Sequence, residues 1–79
     1  MNKPLVAVED RMTEFMQPRA VKNVEAAERD FKALCEDSPI ANDMILWKLG
    51  EYNTETGEIT PCKPEILMKG ESYVTTNKG

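Results

Sequence analysis

Two thiols, Cys35 and Cys62, are the first residues to weigh for chemistry, and the chain holds no histidine to activate them. A cysteine attacks as its thiolate, which needs a neighbouring base or cation. Cys35 falls on the apolar stripe of a predicted helix, and Cys62 follows Pro61 in a predicted strand; both positions suit packing better than attack. Two thiols alone also fall short of the four donors of a zinc site, unless carboxylates or a second subunit complete it. The fourteen Asp and Glu are scattered, as on a solvated surface. Gly50, Gly57, Gly70 and Gly79 stand singly, so no glycine-rich loop cradles a phosphate. The expectation is a protein that is not an enzyme and takes no cofactor and no metal.

Length bounds what can hold any site in place. Seventy-nine residues make one domain with a thin core, because a chain this short buries only about 60% of its unfolded surface. Such a chain often completes its burial by pairing with a second copy, so a homodimer is expected. Ten Lys and Arg against fourteen Asp and Glu give a net charge of −4. That balance disfavours capture of nucleic acid by the whole surface, though a local basic patch stays open. No stretch nears the roughly 20 apolar residues of a membrane span. Met1-Asn2-Lys3-Pro4-Leu5 does not begin a signal-peptide core, so an intracellular protein with reduced, packed thiols is expected.

The predicted elements follow from periodicity. Residues 4–9 and 14–17 read as a hairpin, or as a strand and a poor edge segment, with Pro18 suited to an edge. Asn23 is a good N-cap. Val24, Ala27, Phe31, Leu34 and Cys35 recur at helical spacing and predict a helix ending near Asp37, before Ser38-Pro39. Residues 40–43 read as a polar link. Met44 to Tyr52 predict a strand, with Ile45, Trp47 and Leu49 on one face and Leu46, Lys48, Gly50 and Tyr52 on the other. Trp47 is expected to pack against Phe31 and Val24. Residues 53–57 form the loop of a hairpin, Gly57 taking the left-handed conformation, and residues 58–62 return. Residues 64–69 read as one helical turn or an irregular arm. The expected architecture is α+β: a small, largely antiparallel sheet with one amphipathic helix packed on one face, in the order β(β)αββ. The domain spans residues 1–74, and 75–79 form a flexible C-terminal tail.

Two stretches resemble a known family. Leu46-Trp47-Lys48-Leu49-Gly50-Glu51-Tyr52-Asn53, then Thr56-Gly57-Glu58-Ile59-Thr60-Pro61, is similar to the hairpin of the small nonstructural protein of gokushovirus-type Microviridae phages. Ala27-x-Arg29-x-Phe31, with Phe15-x-x-Pro18 upstream, adds to the likeness, which covers about residues 5–74. The sequence departs from the family pattern in lacking an aromatic residue in its opening strand, and in the short link before Met44. The resemblance implies a DNA-associated role in phage replication, around the change from duplex to single strands for packaging, in the host cell cytoplasm.

A single-strand surface combines cations that follow the backbone with aromatic platforms for bases. The candidates are Arg19, Lys22, Arg29, Lys32 and Lys48, with Tyr52 as the stacking residue. Glu25, Glu28 and Asp30 intrude among these cations, so the same residues also read as a solvated face. Besides single-stranded DNA, the expected partners are a second copy of the chain and a phage or host replication protein. Rival readings are an acidic regulator of a replication initiator or host factor that never touches DNA, and a small capsid-associated or scaffolding component.

Overall fold

The computed structural model describes residues 1–74; the expected tail, 75–79, lies outside the described residues. The elements are β1 (Asn2–Asp10), β2 (Arg19–Ala20), α1 (Val24–Asp37), a 3-10 turn (Ala41–Asp43), β3 (Met44–Asn53), β4 (Ile59–Lys69) and α2 (Glu71–Val74). The strands form one sheet in the order β2-β1-β3-β4, with every neighbouring pair antiparallel. Helix α1 covers one face. This is the α+β architecture and β(β)αββ order that the sequence predicts.

Helix α1 begins and ends where its caps place it. Asn23 is extended at φ −161°, and its side-chain oxygen accepts from the Ala26 amide at 2.7 Å, which satisfies one of the orphan donors of the first turn. The Ser38 amide donates to the Cys35 carbonyl, and Pro39 stops further propagation. Ala27, Phe31 and Cys35 form its buried row. They meet Val6, Val21, Ala41, Met44 and Leu46, with Val8, Leu67 and Met68 packed at the margin. Phe31 is only 2% exposed, and burying such a side chain stabilises the fold by about 2–3 kcal/mol. Leu34, expected in the stripe, is exposed instead. It sits on the flank of the helix, where it lines an apolar groove of about 200 Å³ with Val8, Met16 and Phe31.

Of the two readings of the first segment, the structure has the strand with a poor edge segment. Residues 14–17 lie beside β1 through the Glu9–Phe15 bridge, the Asp10 amide donating to the Glu14 carbonyl at 3.0 Å and the Met16 amide donating to the Val8 carbonyl at 2.7 Å. The edge strand proper lies later, with Ala20 opposite Leu5 and Arg19 opposite Val6. Pro18 directly precedes that edge, where a missing N–H costs no ladder bond. The link at 40–43 is a tight 3-10 turn in which Asn42 stays exposed while Ala41 is fully buried. Residues 64–69 are neither a helical turn nor an irregular arm; they belong to β4. Pro61 and Pro64 are tolerated because β4 is the sheet's outer strand. The strand also bulges there: three residues, 62–64, face the single Leu49 of β3.

The second hairpin closes as read. The Asn53 side-chain oxygen accepts from the Glu55 and Thr56 amides at 2.8 and 3.2 Å. Gly57 has φ +80°, and its amide donates to the Asn53 carbonyl at 2.8 Å. Gly50 has a different reason to be glycine. A Cβ there would collide with the Thr60 carbonyl oxygen and lie 2.9 Å from Pro61 Cα.

The assignment of faces on β3 is inverted relative to the expectation. Met44 and Leu46, not Ile45 and Trp47, lie in the cluster under the helix. Trp47 is half-buried and packs on neither Phe31 nor Val24; its ring stands 6.1 Å from that of Phe15. The core selects the side of β3 that shares a face with Val6 and Val8: the cross-strand partner of Val8 is Leu46, and Met44 lies two residues along on the same side. Cross-strand partners share a face.

Candidate interaction surfaces

The basic candidates divide between separate places. Arg19 lies on the helix side of the sheet, where its guanidinium meets the Asp30 carboxylate at 3.3 Å. Lys22 and Arg29 line one shallow depression of about 260 Å³ at the start of α1, together with Asn23, Glu25 and Ala26. Lys32 is exposed and follows Arg29 by three residues, a spacing that makes helix neighbours. The structure therefore brings Lys22 and Arg29 together, extends them towards Lys32, and engages Arg19 elsewhere.

Lys48 and Tyr52 do not join that group, and the reason is one extra residue. Val6 opposes Lys48 while its neighbour Leu5 opposes Gly50, so Leu49 is a bulge. In a regular strand, positions three apart point to opposite faces. Here the bulge restores Lys48 and Glu51 to one side, and their charges approach to 3.7 Å. Asn2 donates to the same Glu51 carboxylate at 3.1 Å. The expected sharing of one face by Lys48 and Tyr52 is thereby undone. Tyr52 opposes Lys3 and Ile59, which puts it with the residues turned away from the helix.

That open face is the larger feature. Following the ladder across the sheet, Ala7, Trp47 and Ile66 form one row. Glu9, Ile45 and Lys69 form the next row towards one end; Leu5, Gly50 and Pro61, then Lys3, Tyr52 and Ile59, run towards the other. Phe15 joins at the edge through its bridge to Glu9. Ile59 is 58% exposed, Ile66 43% and Phe15 42%. The Trp47 indole N–H donates to Glu9 Oε1 at 2.9 Å, fixing the largest ring on the face. Sequence reasoning missed Phe15, Ile59, Ile66, Lys3 and Lys69 as surface partners of Trp47 and Tyr52. Only the register, with its bulges, aligns them.

The two thiols have different surroundings. Cys35 is buried and Cys62 exposed, and both are free. Burial pushes the Cys35 thiol above its ordinary 9.0 by disfavouring the thiolate. Cys62 is thus not the packed thiol expected, because the bulged edge of β4 turns it outward. Among the described residues, no helix is long and apolar enough to cross a membrane.

No curated protein and no solved structure matches the chain. A family model does, over residues 3–73, which takes in the sheet from its second residue on, α1 and nearly all of α2. The chain belongs to the Phage ORF5 protein family.

Proposed function

We propose that this phage protein is non-catalytic, acts inside the host cell in viral DNA replication, and contacts single-stranded DNA through the start of α1. The grouping of Lys22 and Arg29 around one depression at the helix N-terminus carries the reading. The positive end of the helix dipole favours a phosphate there, and two cations from different segments line the same depression. A flexible single strand can lead one phosphate into a concavity that the convex backbone of a duplex meets poorly. The resemblance to gokushovirus-type nonstructural proteins supplies the biological setting. Glu25 lines the same depression, so the contact is modest in strength and steeply dependent on salt.

Fluorescence anisotropy of labelled single-stranded and duplex oligonucleotides, at low and moderate salt, tests this. Binding that favours the single strand, falls with salt and weakens in Lys22→Ala/Arg29→Ala is the expected result. No binding of either oligonucleotide at low salt would sink the reading. It would leave a protein partner of the acidic surface, such as a replication initiator, as the better account.

A further inference from the structure

We propose that the open face of the sheet binds a second copy of this chain, face to face, leaving the two α1 helices on the outside. This stands apart from the DNA reading and uses none of its residues.

The first argument is the anatomy of the face. Its two middle rows are apolar (Leu5, Ala7, Trp47, Pro61 and Ile66), with Ala7 already buried beneath its neighbours at 2% exposure, while Lys3, Glu9 and Lys69 lie in the end rows. An apolar centre containing aromatic residues, with charges at the rim, is the pattern of a protein interface. Nucleic acid is the weaker occupant: two lysines offset by one glutamate neutralise few phosphates.

Area gives the second argument. Three strands of nine to eleven residues run for about 30 Å at ~3.3 Å per residue, and at ~4.8 Å spacing they give a flat footprint of about 430 Å². Side-chain relief raises this towards the ~800 Å² per partner of a standard interface. Helix α1, at fourteen residues, is only about 21 Å long and covers the other side. Among the described residues the other helix, α2, has only four residues, too few to cover the open one.

Charge placement is the third argument. Lys3 and Glu9 sit at opposite ends of β1, about 20 Å apart at strand rise. A two-fold axis crossing the strands near Val6 exchanges those ends. It sets Lys3 over the partner's Glu9, and the same contact repeats on the other side, as an isologous interface requires. Trp47 occupies one oxygen of Glu9, and a carboxylate has a second for the ammonium.

The edges supply the fourth. Strand β2 has two residues and follows Pro18, and β4 carries Pro61, Pro64 and its bulge. Such edges resist strand-to-strand growth, which leaves association through the face.

Sedimentation equilibrium of the full chain, paired with Trp47 fluorescence on dilution, reads the proposal directly. The expected result is twice the 8.9 kDa chain mass, with dissociation on dilution and a red shift as Trp47 meets water. Ile66→Glu should give the single-chain mass with an unchanged far-UV spectrum. Should that variant fail to fold, Ile59→Glu at the far end, where the side chain is 58% exposed, makes the same test. A single-chain mass for the wild type at high micromolar concentration overturns the proposal. So does a dimer that survives both substitutions, or a wild-type monomer whose Trp47 emission responds only to single-stranded DNA.

Discussion

The two faces of this sheet are built from neighbouring residues of the same strands, yet one is closed and the other open. Val6, Met44 and Leu46 point to the helix and are almost completely excluded from water. Their neighbours in sequence, Leu5, Ile45 and Trp47, turn away; Ile45 is still covered at 7% exposure, but Ile59 and Ile66 on the same side are left exposed at 58% and 43%. Hydrophobicity alone does not separate the two sets. What separates them is which set meets Phe31, and that depends on register rather than residue type. A strand apolar on both sides fits being covered twice, once by a helix and once by something else.

The contrast can be broken most severely from the closed side. Phe31→Ala should cost about 3–5 kcal/mol through lost burial and the remaining cavity, enough to unfold much of a domain this small. Chemical denaturation followed by circular dichroism measures it. Gly50→Ala attacks the junction between the faces. The new Cβ has backbone on its path, so strand β4 must shift, at about 1–3 kcal/mol, with the loss read from the thermal midpoint. Asn23→Ala removes the cap bond to Ala26 and should cost about 1 kcal/mol, with no change in the mass of the assembly.

Thiol chemistry sharpens the same comparison with the smallest effect. Cys62 should react quickly with a thiol reagent in the folded protein, and Cys35 only as fast as the domain opens. Because burial raises the Cys35 thiol in the folded state, its proton is held more tightly folded than unfolded. The associated stability is complete below the ordinary value of 9.0 and is lost as pH climbs through the raised one. Denaturation midpoints should therefore drop in the alkaline range, and Cys35→Ala should flatten that drop. A slope unchanged by the substitution would assign the drop to other groups.

Local signals in the sequence were legible, and long-range ones were not. Asn23, the Ala27–Phe31–Cys35 row and Ser38-Pro39 mark helix α1 because each acts within a few residues. Asn53 and Gly57 mark the hairpin loop for the same reason. The face of β3 was misread because Ile45 and Trp47 are as apolar as Met44 and Leu46, and only pairing with Val8 decides between them. Pro61 suits either an edge or an early end of strand; the structure has the edge, and the strand runs on through Pro64 because an outer strand can spare those N–H groups. Of the surface candidates, Lys22 and Arg29 could be joined through helix geometry. Tyr52 could not be placed without knowing that Leu49 is extra.

That single unpaired residue makes β3 a ribbon with a half-turn in its phase. On the proximal side, even-numbered positions such as Met44, Leu46 and Lys48 face the helix. Beyond Leu49 the odd-numbered ones, Glu51 and Asn53, take that side. The distal hairpin therefore keeps its own inside and outside, independent of the core's alternation. Substitutions at its tip can alter what the open face presents without rewriting the pattern that folds the domain, whereas losing Leu49 would exchange inside for outside over the whole tip at once.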